Sequence, residues 1–327
     1  MNDFRRAAAR VGASYGVLLG VFLLTLLAAV AVQPQIVAIN NISSILTFDV
    51  EIGLIALGET MIILGGGGGI DLSVGGIYAV SQVIVGLLAQ DRVNIWLSIA
   101  AGLASGGAMG ALNGLLVTRV RVPAIITTLA TMYAFDGIAL LLTNGIDISA
   151  FPNSYSVIGQ GLVWGLPVQF LFIYVPILIV LWFVLGRTVY GHHLYLTGTN
   201  QLAAALSGIN VKRIRFLAYT ATGLLVAVAG VVNSSRLVTA RPDAGATANL
   251  EAITIAVLGG TSIFGGRGTV WGTAIATLVM TLIGYSFSLA NVNSVIETSA
   301  IRAVVIVVIL LQEFVRKRVA GGRASAR

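Results

Sequence analysis

Long apolar runs alternate with short polar or glycine-rich stretches along nearly the whole chain. A helix needs about 20 apolar residues to cross a bilayer core of about 30 Å. On that measure the pattern predicts ten membrane-spanning helices, at roughly 12–33, 44–65, 74–91, 95–117, 123–144, 165–187, 214–236, 249–264, 270–290 and 297–315. The second carries Asp49, Glu51 and Glu59, the third is short, and the eighth follows a polar stretch and ends in glycines. The first run is too long for a signal-peptide core and no small-residue cleavage site follows it, so it is expected to remain as a span. The longest polar segments are 145–164, 188–213 and 237–248, which leaves a single transmembrane domain over 1–327 with no appended soluble domain expected.

Composition sharpens this picture. Of 327 residues, 57% are hydrophobic and 9% charged, against about 25% charged in an ordinary soluble domain. That balance excludes a soluble enzyme, a secreted disulfide scaffold and a nucleic-acid binder. The net charge is +7, with the basic residues at the ends of apolar runs, where they act as orientation signals. With the N-terminus placed in the cytoplasm, Arg5, Arg6, Arg10, Arg119, Arg121, Arg187, Lys212, Arg213, Arg215, Arg267, Arg316, Lys317, Arg318, Arg323 and Arg327 fall inside. Only Arg92, Arg236 and Arg241 fall outside, and Arg302 lies within a span. This asymmetry favours ten spans with both termini cytoplasmic and a basic inner tail over 316–327. The chain has no cysteine, and its two histidines, His192 and His193, are adjacent. Thiolate chemistry is therefore excluded and a zinc site is not expected.

The fourth span places Gly102, Gly106, Gly110 and Gly114 along one helical face, with Asn113 at its inner end. Such a face lets a neighbouring backbone approach closely; packing is the plainer reading, and a smooth wall for a solute path is the other. Gly65 to Gly69 is poor helix material and marks a break between the second and third spans. Asp71 or Ser73 then stands where a cap for the third helix belongs. The run is no phosphate-binding loop, which needs Gly-Lys-Ser/Thr after its glycines, so an ATP site of that kind is not expected here. Leu64-Gly65-Gly66 followed by Gly75-Gly76 is echoed by Leu258-Gly259-Gly260 followed by Gly265-Gly266, hinting at an internal repeat. Glu59 and Asp136 lie inside spans, where an ionisable group is costly and calls for a function or a buried partner.

The stretch 191–208 reads as more than a linker. Asn200 is a good N-cap for a short helix 201–207 and Gly208 a good stop. An exposed short helix in an inner loop suggests a docking knob for a cytoplasmic partner. On the outer side, Arg241-Pro242-Asp243-Ala244-Gly245 contains a turn signal. Arg241 and Asp243 either pair locally or meet an extracytoplasmic partner.

Four pieces together resemble the permease subunits of bacterial ABC importers for ribose and other simple sugars. They are Gly69-Ile70-Asp71-Leu72-Ser73-Val74-Gly75; Asn113-Gly114-Leu115-Leu116-Val117 with Pro123 and Thr128-Leu129-Ala130-Thr131; Asn200 with Ala203-Ala204 and Ser207-Gly208-Ile209; and Arg241-Pro242-Asp243-Ala244-Gly245 followed by Glu251-Ala252-Ile253 and Leu258-Gly259-Gly260. The resemblance runs from about residue 45 to 312. The glycine run is longer than the family's usual pattern, Leu196 replaces a common alanine, and many members have another residue at Glu59.

The resemblance implies an all-α polytopic type II importer fold in the bacterial inner membrane. It implies a second permease chain, a cytoplasmic ABC ATPase that uses the ATP and magnesium, and an extracytoplasmic sugar-binding protein. The permease itself would hold no cofactor or metal and catalyse no reaction. Glu59, Asp71, Ser73, Asn113, Thr128 and Asp136 would border the substrate pathway. Gly191, Gly198, Asn200, Ala203, Ala204, Ser207 and Gly208 would belong to the ATPase-coupling loop, 188–213, while Arg241, Asp243 and Glu251 would face the binding protein. An ion-gradient-driven secondary transporter of a small polar solute is the alternative. It would keep its own repeat and intramembrane acids and need no ATPase.

Overall fold

The computed structural model describes residues 2–293, together with Ile296, Ser299, Ala303, Ile306 and Leu310, and gives 2–15 and 17 as backbone only. Apart from those isolated positions, the tenth expected span with Arg302, and the basic tail 316–327, lie outside the described residues.

Each of the other nine expected spans contains a helix. They are α1 (Asn2–Val32), α2 (Ile39–Leu64), α3 (Val74–Gln90), α4 (Ile95–Leu115) and α5 (Ala124–Thr143), followed after a short helix α6 (Ser156–Gln160) by α7 (Val175–Arg187). After α8 (Val189–Thr199) and α9 (Gln201–Leu206) come α10 (Val211–Leu237), α11 (Ala248–Leu258) and α12 (Val270–Leu289). A two-stranded hairpin, β1 (Leu162–Val163) with β2 (Leu166–Pro167), sits in the segment before α7. Within the described residues, five helical stretches are long and apolar enough to cross a membrane by themselves: Ile95–Val120, Ala124–Thr143, Phe170–Arg187, Val211–Leu237 and Val270–Leu289.

The centre of the molecule is α2. From Asp49 to Leu64 all but one of its residues are buried, and α10, α11 and α12 pack around it. A helix apolar on every side belongs inside. Hydrogen bonds tie it to two neighbours: Thr60 Oγ1 meets Thr273 Oγ1 of α12 at 2.7 Å, and Thr222 of α10 donates to the Gly58 carbonyl at 2.9 Å. The outer helices have the opposite character. Ile126, Tyr133 and Leu141 of α5 and Phe183 of α7 are exposed, a pattern that would be a liability in water and suits a lipid surround.

The glycine face of α4 resolves as packing. Gly102 meets the Ser81 carbonyl of α3, while Gly106 and Gly110 lie against Gly223 of α10 and Gly114 against Phe216. A Cβ at Gly106 would stand 2.6 Å from the Gly223 carbonyl oxygen. The two backbones therefore touch with no side chain between them, which is how helices associate where no hydrophobic drive exists.

Two spans are broken. After α2 the chain turns back through Gly65–Gly69 and climbs unwound to Ser73 before α3 begins. The second break corrects the expected helix over 249–264. The helix α11 stops at Leu258, and 11 residues rise only about 16 Å. The rest of that crossing is irregular chain over 240–247. Ala240 pairs with Ile148, the Arg241 amide reaches Gln82 Oε1 at 3.4 Å, and Gly245 lies directly against Gly75. The reason is local: Pro242 cannot donate to a helix ladder, and Gly245 must lack a side chain to pass Gly75. Thus the second unwound segment crosses the first turn of α3, just past the first break, at a glycine–glycine contact.

Substituting Gly110 by Val should overpack the α4–α10 seam at a cost of about 1–3 kcal/mol or more. The check is thermal unfolding of the detergent-purified protein, in which Gly110→Val melts well below the parent while Gly137→Val, at an open position, does not.

Candidate translocation and coupling site

The first break is built on glycine. Gly66, Gly67 and Gly68 have φ of +67, +64 and +67°, a left-handed run that side-chain-bearing residues adopt only with strain. The unwound chain then needs partners for its polar groups, because no water competes for them in the interior. The Asp71 amide donates to Glu59 Oε1 at 3.0 Å. Asp71 Oδ1 accepts from the Ser73 amide at 2.8 Å and from Ser73 Oγ at 2.6 Å. Asn113 of α4 donates to Ser73 Oγ at 2.7 Å, Thr128 of α5 to the Ile70 carbonyl at 3.1 Å, and Asn249 of α11 to the Leu72 carbonyl at 3.2 Å. Four helices thus hold one strand of irregular backbone. Glu59 lies five residues before the end of α2, so Asp71 sits about 8 Å in from that end.

Five of the six expected pathway residues, Glu59, Asp71, Ser73, Asn113 and Thr128, come together here, each with 0% exposure. That figure decides their present state: they bond to the broken span and one another, away from any open channel. Asp136 stands apart, half-buried on α5 beside Gly76. Ser73 does not cap α3 with its side chain. Asp71, two residues earlier, accepts instead from the amide of Ser73 itself, just before the helix.

The expected coupling loop, 188–213, is mostly helical. Thr188 caps α8 by accepting from the Gly191 amide at 3.3 Å, and Gly191 packs on the backbone of Val184 and Leu185. Asn200 caps α9 by accepting from the Ala203 amide at 3.0 Å. The helix ends at Leu206, one residue earlier than expected, and Gly208 turns out of it with φ +84°. At the other end of α8, Gly198 lies against the Leu64 carbonyl, Gly66 and Gly266. The Gly266 amide donates to the Leu64 carbonyl at 3.1 Å, and Tyr195 donates to the Gly268 carbonyl at 2.9 Å. So α8 touches both glycine-rich turns, the one after α2 and the one after α11. Ala204 is buried, Ala203 and Ser207 are exposed, and α9 presents Leu202 and Leu206 outward at 71% and 82% exposure. Sequence reasoning missed these two leucines. Their spacing of four within a short polar-flanked helix was the available signal.

At the opposite end of the bundle, Arg241 pairs with Asp243 at 3.1 Å, and both are exposed, as is Glu251 in the first turn of α11. Beneath them lies a network that the sequence only half revealed. Arg236 Nε donates to Glu51 Oε1 at 2.6 Å and Nη2 to Oε2 at 3.2 Å. Asn233 and Tyr78 donate to the same Oε2 at 2.8 and 3.3 Å. The guanidinium also sits over the Phe48 ring, 4.9 Å from its centroid. This joins α2, α3 and α10 through one largely buried carboxylate. No group of three or more His, Cys, Asp or Glu side chains placed to hold a metal occurs among the described residues.

A helical core with two broken spans, and a helical loop pinned to one end of each, defines a membrane permease. The chain belongs to the family described as branched-chain amino acid transport system, permease component, whose pattern matches residues 41–312. It is a multi-pass membrane protein of that family. It is 37% identical over 298 residues to the ribose import permease protein of Bacillus subtilis, covering 90% of this chain and 91% of that one. Identity to the ribose import permease protein of Escherichia coli K12 is 35% over 294 residues, with 88% and 90% covered. An autoinducer 2 import system permease protein of Escherichia coli is 35% identical over 286 residues, with 86% of each chain covered. In fold, the chain is similar to a metal-chelate type ABC transporter solved in an inward-facing conformation, with a TM-score of 0.57 and 16% identity over 90% of this chain and 99% of that one.

Removing the carboxylate in Glu51→Ala should strand Arg236 in a largely buried site and cost about 3 kcal/mol or more. Thermal unfolding in detergent should show a large drop in Tm for Glu51→Ala and a smaller one for the double variant Glu51→Ala/Arg236→Met, which removes the unpaired charge.

Proposed function

We propose that this chain is the transmembrane permease subunit of an ATP-driven importer that carries a ribose-type or related monosaccharide across the bacterial inner membrane. The single observation that carries this reading is the α8–α9 loop, fixed through Gly198 to the ends of both broken spans. A push on that loop reaches the first break and, through the turn after α11, the far end of the second broken span. In this reading α8 and α9, with Arg119, Arg187, Lys212, Arg213 and Arg267 at the same end, lie in the cytoplasm, as the inside preference of Lys and Arg requires. The chain then crosses the membrane ten times in a type II importer fold, both termini and the tail 316–327 are cytoplasmic, and the whole of 1–327 is one permease domain.

The cytoplasmic ABC ATPase seats Leu202 and Leu206 of α9, with Asn200, Ala203, Ser207 and Gly208 shaping the knob. ATP and magnesium belong to that partner, and this chain catalyses nothing and holds no cofactor. A second permease chain completes the pathway. An extracytoplasmic sugar-binding protein docks over Arg241, Asp243 and Glu251. Glu59, Asp71, Ser73, Asn113 and Thr128 hold the first break shut, and meet the solute as it opens; Asp136 borders the same route on α5. The names of the relatives at 35–37% identity support a sugar or a sugar-like signalling molecule as cargo.

The test uses the exposed leucines, whose loss should leave the fold intact. The variant Leu202→Asp/Leu206→Asp should purify as a folded permease, lose co-purification of the ATPase, and reduce ATP-dependent ribose uptake in proteoliposomes by about tenfold or more, a hot-spot-sized effect. Full retention of the ATPase by this variant would remove α9 as the docking element.

A further inference from the structure

Where α10 ends and the irregular segment 241–247 begins, the surface holds an open cavity of about 320 Å³, at the lower end of the range for small-molecule sites, about 300–1,000 Å³. It is lined by Asn233 and Arg236 of α10 and by Arg241, Asp243, Ala246 and Thr247 of the segment that follows. Charge is present but paired. The Arg236 guanidinium is held by Glu51 and the Arg241 guanidinium by Asp243. A free anion would find no uncompensated cation here, and a free cation no uncompensated carboxylate. Asn233 is 6% exposed, its amide nitrogen bonds to Glu51, and its Oδ1 has no hydrogen-bond partner among the described residues. A buried amide oxygen left without a donor is costly, so a hydroxyl brought to it would relieve that cost.

The second observation concerns the backbone. Irregular chain at membrane depth is tolerated where it is buried in protein or lines a water-accessible cavity; Pro242 and Gly245 are buried, and Arg241, Asp243, Ala244, Ala246 and Thr247 line this cavity. The available groups are an amide acceptor, guanidinium N–H donors beyond the two that Glu51 occupies, a carboxylate and a threonine hydroxyl. Together they match a neutral solute whose neighbouring hydroxyls both donate and accept.

We propose that this cavity is the entry site at which one neutral monosaccharide first leaves the binding protein and meets the membrane subunit, Asn233 Oδ1 accepting from a sugar hydroxyl. The inference rests on the importer reading above, since it takes the Arg241 end as extracytoplasmic. It places sugar contact at the top of the second broken span, and it gives the permease a selectivity of its own.

The test uses the complete complex, permease with ATPase and binding protein, in liposomes. Radiolabelled D-ribose is the probe, followed by D-xylose, D-glucose and L-rhamnose until one is taken up. The readouts are sugar moved per ATP hydrolysed and ATPase stimulation by the binding protein. Asn233→Leu removes the acceptor. Ala246→Trp fills the cavity from an exposed position and leaves the buried ion pair untouched, so it serves if Asn233→Leu does not fold. Each variant should lower sugar moved per ATP by about tenfold, the scale of losing a matched polar contact or its space, while stimulated ATPase stays within about twofold of the parent. Unchanged sugar per ATP in either folded variant overturns the entry site, and so does a parallel fall in stimulated ATPase, which would make the region a docking or structural element. If the unmodified complex moves none of the four sugars in an ATP-dependent way, the importer reading itself falls.

Discussion

Backbone that leaves the helix inside an apolar bundle must find a partner for each polar group, and the structure is arranged around meeting that demand twice. At the first break, Glu59 takes the Asp71 amide, Asp71 takes the Ser73 amide, and Thr128 and Asn249 bond the Ile70 and Leu72 carbonyls. Each of these side chains comes from a different element. The break therefore fixes the mutual positions of α2, α4, α5 and α11, and the acid Glu59, costly by itself in such a setting, is kept because it satisfies an amide that has no helix to bond. At the second break the crossing chain borrows the edge of Ile148, the side chain of Gln82 and the open face of Gly75.

Glycine joins the two broken spans at one end of the bundle. Gly66, Gly198, Gly265 and Gly266 bring three segments to backbone contact at one end of the bundle. A side-chain contact can absorb a displacement by changing rotamer, whereas backbone against backbone cannot. A shift of α8 is thus passed to the end of α2 and to the turn after α11 together. The same logic governs the seam of α4 with α10, where Gly106, Gly110 and Gly223 remove the layer that would let the helices slide. Rigid seams beside two unwound segments confine any large movement to the unwound parts, a division of labour suited to alternating exposure of a path.

The opposite end is organised by electrostatic neutrality. Glu51 reaches Arg236 across α2 and α10 with Tyr78 and Asn233 completing its shell, and Arg241 closes on Asp243. A buried pair of this kind contributes little net stability over an apolar pair of equal size, yet losing one partner is expensive. Its value here lies in presenting hydrogen-bonding groups at membrane depth without a net charge.

Much was legible in the residue order, for a physical reason: a bilayer fixes the length and apolarity of a span, so the helix-bearing runs could be located by counting, and the caps at Asn200 and Gly208 follow from local backbone chemistry. The break at Gly65–Gly69 was equally visible, because five glycines cannot be good helix, and the set Glu59, Asp71, Ser73, Asn113 and Thr128 could be picked out by polarity inside apolar runs. The sequence by itself thus determined a multi-span permease core, the place of its first break and the composition of its polar centre. Only the tertiary structure decided what those residues touch. It showed the α4 glycines to be a packing seam, cut the expected helix over 249–264 to Ala248–Leu258, turned Ala204 inward and Leu202 and Leu206 outward, and joined Glu51 to Arg236 across 185 positions. These are consequences of which helices become neighbours. Periodicity along one helix carries no record of its neighbours when every side of the bundle, core and lipid alike, is apolar.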